Sequence, residues 1–71
     1  MSNYESAKEV LNNNQSISER IDLLTKHLSK LIDEEDGKER ERLMVDVSKA
    51  LCEISKLNLE STLIVSEWII K

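Results

Sequence analysis

The stretch Leu31-Ile32-Asp33-Glu34-Glu35-Asp36-Gly37-Lys38-Glu39-Arg40-Glu41-Arg42-Leu43 holds the only glycine of a 71-residue chain that has no proline. With a single interruption signal the chain can form few elements, and those must be long. Asp36-Gly37-Lys38-Glu39 reads as a capping box that starts a helix, or Gly37 as the left-handed residue that ends one. Either way a tight turn joins two antiparallel neighbours.

Working back from the turn, Ile17, Ile21, Leu24, Leu28 and Leu31 recur at spacings of four and three. That is the seam of a helix packed along another helix. Ser16-Ile17-Ser18-Glu19 fits a capping box at its start, giving a helix over about 17–34. Working forward, Leu43, Val47, Ala50, Ile54, Leu57, Ser61, Ile64 and Trp68 keep the same alternation. Met44, Leu51 and Val65 flank them, and the second helix spans about 38–70. Folding one on the other pairs Leu31 with Leu43, Leu28 with Val47, Leu24 with Ala50, Ile21 with Ile54 and Ile17 with Leu57. Asp46–Lys49 and Glu53–Lys56 are expected as flanking ion pairs, each adding roughly 0.2–0.5 kcal/mol.

The fold class is therefore all-α, a single domain over 1–71 built as a coiled-coil-like antiparallel hairpin. A short third helix over about 3–11 is expected to form only if it docks, because eight or nine residues cannot hold a helix alone in water. Ser2-Asn3-Tyr4-Glu5 would cap it, Tyr4, Ala7, Val10 and Leu11 would form its stripe, and Asn12-Asn13-Asn14-Gln15 would end it.

The remaining chemistry is sparse. Aligning Gly37 with the sixth position of a calcium loop puts Ile32 and Leu43 where carboxylates are required, so a calcium site fails. His27 has Leu23 and Leu31 one turn away on either side and no metal partner. Cys52 has Ser48 and Lys56 at the same offsets and no base, and as the only cysteine it can form no intramolecular disulfide. No glycine-rich loop, paired catalytic carboxylates or nucleophile triad can be assembled. The expectation is no enzyme, no cofactor and no metal.

Net charge is −4, with eight acids and four bases in residues 1–37 and six of each in 38–71. Phosphate binders cluster Lys and Arg, so nucleic-acid binding is not expected. No apolar run exceeds three residues, as in Leu63-Ile64-Val65, so none can span a membrane, and acidic Glu5 and Glu9 argue against a signal peptide. Location in a reducing cytoplasm follows.

The functional signal lies in residues 57–70. With the first helix of the hairpin at about 19 residues and the second at about 32, the second overshoots by some 20 Å at roughly 1.5 Å per residue. Leu57, Leu59, Leu63, Ile64, Val65, Trp68, Ile69 and Ile70 are the expected protein interface. Leu59, Leu63 and Ile70 extend a second stripe begun by Val45 and Cys52. A helix apolar nearly all round must be buried nearly all round, by a helical protein partner or by another copy.

Residues 17–71 resemble the small E-type (YscE-like) co-chaperones of type III secretion needle subunits. The likeness rests on the helical hairpin, the turn Asp36-Gly37-Lys38, Ser48-Lys49-Ala50-Leu51 in the second helix, and the apolar C-terminal end. The Asn12–Gln15 segment and a third helix depart from that pattern. The resemblance implies a hairpin that joins a repeat-type helical chaperone and keeps a needle subunit soluble in the bacterial cytoplasm. The alternatives are a self-associating four-helix bundle with a structural or regulatory role, and a Rop-like RNA-binding bundle. For the last, the first helix offers only Arg20, Lys26 and Lys30.

Overall fold

A computed structural model describes residues 3–69. Two helices make up almost all of it: α1 over Asn3–Asp33 and α2 over Gly37–Ile69, packed against each other as an antiparallel hairpin. The molecule is a rod of 53 × 16 × 14 Å.

The turn takes the capping alternative. The Asp36 side chain accepts a hydrogen bond from the Lys38 N–H at 3.0 Å, while the Asp36 carbonyl accepts from the Arg40 N–H at 2.9 Å. This satisfies one of the free donors at the start of α2. Gly37 does not adopt a left-handed conformation and is the first residue of α2. The Asp36 N–H donates to Glu34 Oε1 at 3.0 Å, and so closes the turn.

The first helix differs from expectation. Asn12-Asn13-Asn14-Gln15 does not end a helix, and there is no separate short helix over 3–11. These residues lie inside α1, and Ser16 is a mid-helix residue whose carbonyl accepts from Arg20 Nη1 at 3.3 Å. Asparagine disfavours helix by only about 0.7 kcal/mol per residue. Packing on both sides of the segment, at Val10 and at Ile17, overcomes that cost.

The hairpin register is fixed by two polar contacts between helices. Asn13 Nδ2 donates to Ser61 Oγ at 3.2 Å, and Arg20 Nε bonds Glu53 Oε2 at 2.6 Å. In this register Leu31 lies level with Leu43, Leu24 with Ala50, Ile17 with Leu57 and Val10 with Ile64. The first three pairs are as expected. Leu28–Val47 and Ile21–Ile54 are not, because α1 is rotated by one position. Its seam contains Val10, Ile17, Leu24 and Leu31 alternating with Ser6, Asn13, Arg20, His27 and Glu34, all at least partly buried. Ile21 and Leu28 turn outward and are 46% and 41% exposed. Were they in the seam, neither Asn13 nor Arg20 could reach α2.

The ion pairs also differ from expectation, and only the one to Arg20 depends on the rotation of α1. Asp46 pairs with Arg42 and Glu53 with Arg20, not with Lys49 and Lys56. All these side chains keep substantial exposure, so solvent screening leaves each pair only a small contribution.

Because α1 has 31 residues and α2 has 33, the helices match in length and α2 does not overshoot. The far end of α2 is covered along one side by the first turns of α1. Even so the core is thin. Among the described residues only Leu43 and Ala50 are buried apolar side chains.

Candidate protein-binding faces

Positions along two matched helices fall into rows seven residues apart, and the rows sort by chemistry. Beside the seam on one side of α1 lie Ala7, Asn14, Ile21 and Leu28. On the same side of α2 lie Met44, Leu51, Asn58 and Val65. That these rows share a face is shown by a shallow groove lined by Ala7, Leu11 and Asn14 from α1 and by Asn58 and Trp68 from α2. The next rows outward are Leu11, Ser18, Thr25 and Ile32 on α1, and Glu41, Ser48, Ser55, Thr62 and Ile69 on α2. In the helical residues of these four rows the one charge is Glu41, close to the turn. Ile21, Leu28, Ile32, Met44, Leu51 and Leu11 are all exposed here.

The opposite face is the reverse. Glu39, Asp46, Glu53, Glu60 and Glu67 form an acidic row at seven-residue spacing, and Arg42, Lys49 and Lys56 run beside it. The Arg20–Glu53 bridge crosses between the helices on this side. Arg42 hydrogen-bonds Glu39, which holds that carboxyl below its usual range and raises the guanidinium in turn. Both groups are open to water, so the pair orders side chains rather than stabilising the fold.

A third, narrower surface runs along the back of α2, where Val45, Cys52 and Leu59 repeat at seven-residue spacing and Leu63 adjoins them. Leu59 and Leu63 are 58% and 59% exposed. The second stripe expected on α2 is thus present as far as Leu63, and its last member, Ile70, lies outside the described residues.

The eight expected interface residues are therefore spread over several surfaces. Leu57 and Ile64 are half-buried in the seam, Val65 and Ile69 belong to the uncharged face, and Leu59 and Leu63 to the back of α2. Trp68 is not unsupported: it ends the seam, 38% exposed, in the groove with Ala7, Val10 and Leu11. The residues that sequence reasoning assigned to the seam and its flanks, Ile21, Leu28, Met44 and Leu51, are the centre of the exposed face. The signal that marks them is the absence of charge from whole rows. It becomes readable once the rotation of α1 is known.

No match to this chain is found among protein-family models, curated proteins or solved structures. Among the described residues no helix is long and apolar enough to cross a membrane. No group of three or more His, Cys, Asp or Glu side chains there is placed to hold a metal ion. The imidazole Nδ1 of His27 is buried in the seam without a hydrogen-bond partner. Cys52 carries a free, exposed thiol on the back of α2.

Proposed function

We propose that this chain is a non-enzymatic protein-binding module, an adaptor or co-chaperone, that works by giving exposed apolar helix surface to the helices of other protein chains. The observation that carries this reading is the sorting of charge. Most of the large apolar side chains left outside a thin core are gathered on rows without charge, the exceptions being Leu23, on a row with Glu9 and Lys30, and Leu63, which continues the row of Arg42, Lys49 and Lys56. Scattered exposed apolar residues are ordinary, whereas a contiguous face is the mark of an interaction site.

The resemblance to E-type secretion co-chaperones supports the same class of function, and with it a cytoplasmic setting and a larger helical partner. On this reading α2 is the binding helix, since it is apolar on its seam, on the uncharged face and along its back.

Affinity purification from native extract, with wild type and three variants, tests the proposal. Leu51→Asp on the uncharged face and Leu63→Asp on the back of α2 are expected to lose a co-purifying chain that Glu60→Lys, on the charged face, retains. Circular dichroism must show the same helicity in all variants that are compared. A co-purifying chain retained by both Asp variants and lost with Glu60→Lys would mean that binding runs through the charged face, and the proposal fails.

A further inference from the structure

We infer that the uncharged face seats a second copy of this chain, the two hairpins stacking with opposite ends together as a four-helix bundle. This rests on the reading of the chain as a protein-binding module and names the occupant of one of its surfaces.

The surface area is the first argument. A compact monomer of 8.2 kDa is expected to expose about 4,500 Å², and this rod exposes 5627 Å². Its radius of gyration is 16.2 Å, where about 11 Å is expected for a compact domain of this length. The excess is of the size one interface removes. A face of 53 by 16 Å projects to about 850 Å², of which copies crossing at the level of Asn14 and Asn58 share about four fifths, roughly 680 Å², against the roughly 800 Å² per partner of a standard stable interface.

Charge is the second. A chain of net charge −4 resists self-association wherever its acids meet. Here two uncharged faces can close on each other while the acidic row of each copy points away to solvent.

The third is register. Asn14 and Asn58 lie nearly level with each other on the two inner rows, and Ser18, Ser55 and Thr62 surround them on the outer rows. Apolar side chains lie on both sides of this band: Ala7, Leu11 and Val65 toward one end, and Ile21, Leu28, Leu51 and Met44 toward the turn. A uniformly apolar partner would leave the Asn14 and Asn58 amides and the Ser18 and Ser55 hydroxyls unpaired, whereas Thr62 already donates to the Asn58 carbonyl at 2.8 Å. A second copy, related by a two-fold axis crossing the face at this band, sets amide against amide. Buried asparagines of this kind fix register in helical bundles.

The acidic turn decides the direction. Stacking with like ends together would bring two Asp33-Glu34-Glu35-Asp36 clusters and both Glu41 side chains to one end. With opposite ends together the turns stand on the order of 50 Å apart at 1.5 Å per residue, well beyond a screening length of about 8 Å. In this arrangement α1 lies on α1 of the second copy, so Asn14 approaches its own equivalent.

Sedimentation equilibrium of the full chain and disulfide trapping form the test. The wild type is expected at twice 8.2 kDa, and Ile21→Asp is expected to shift it to the monomer mass. That variant could also lose helix, so trapping provides the second measurement. In a Cys52→Ser background, Asn14→Cys is expected to give a covalent dimer on oxidation, and Leu28→Cys, which no described residue of the second copy's α1 faces, is not. A monomeric, helical wild type overturns the inference. So does efficient trapping by Leu28→Cys without trapping by Asn14→Cys. Either result leaves the protein-binding reading standing if the co-purifying chain is still lost with Leu51→Asp.

Discussion

Asn13 on α1 donates a hydrogen bond to Ser61 on α2, 3.2 Å away and 48 residues later in the chain. The bond sits in the seam, where an apolar pair would ordinarily be expected, and with Arg20–Glu53 it sets the angular position of α1. Asn13→Ala should cost about 1 kcal/mol, as should Ser61→Ala, with a coupling of roughly 0.5–1.5 kcal/mol in the double variant. Urea denaturation of the four proteins measures it. Fully additive effects would mean that the bond does not form and that Ile21 and Leu28 fill the seam instead.

His27 occupies the same row about four turns nearer the hairpin bend, and its Nδ1 is buried without a partner. An unsatisfied buried polar atom costs about 1–3 kcal/mol, and an apolar replacement of similar size removes that cost. His27→Leu is therefore expected to raise the melting temperature by several degrees. A lower melting temperature would show that the imidazole makes a contact worth more than its desolvation.

Continuity of α1 through Asn12–Gln15 is tested at Asn12, which is exposed and helical. Asn12→Ala should stabilise by roughly 0.5 kcal/mol from helix propensity alone, and Asn12→Pro should destabilise by about 3 kcal/mol or more. If a break lay here, the alanine variant would gain nothing and proline would be tolerated.

How much of this could be read from the chain depends on which helix is considered. All eight seam positions of α2 were legible, because its apolar residues keep one four-three alternation and nothing competes with them. On α1 two alternations share Ile17, Leu24 and Leu31. One adds Ile21 and Leu28, the other Arg20 and His27. Apolarity favours the first, and the cross-helix bonds of Asn13 and Arg20 select the second. Those bonds join residues more than thirty positions apart, so no local pattern announces them. The asparagine run misled for a related reason. Its propensity is a local quantity, and tertiary packing outweighs it.

Nucleic-acid binding is expected to be negligible at physiological salt. Each of Arg42, Lys49 and Lys56 runs beside the row Glu39, Asp46, Glu53 and Glu60, and the uncharged face presents no base at all. A groove-binding surface needs several cations free of neighbouring carboxylates. Filter binding with duplex RNA and DNA should show no complex at micromolar protein. A complex that weakens steeply with added salt would contradict this.

The three-residue connection between Asp33 and Gly37 also governs the order in which the hairpin assembles. Partners across the helix pair have residue numbers summing to about 74, as Asn13 and Ser61 do. The loop that must be closed is thus only a dozen residues at Leu31 and Leu43 but more than fifty at Val10 and Ile64. Closure entropy grows with loop length, so pairing begins at the bend and proceeds outward like a zip fastener. Trimming Leu31 or Leu43 to alanine should then slow refolding in stopped-flow experiments. The same change at Val10 or Ile64 should leave refolding nearly untouched and hasten unfolding. Equal slowing at both ends would mean that the ends meet before the bend is made.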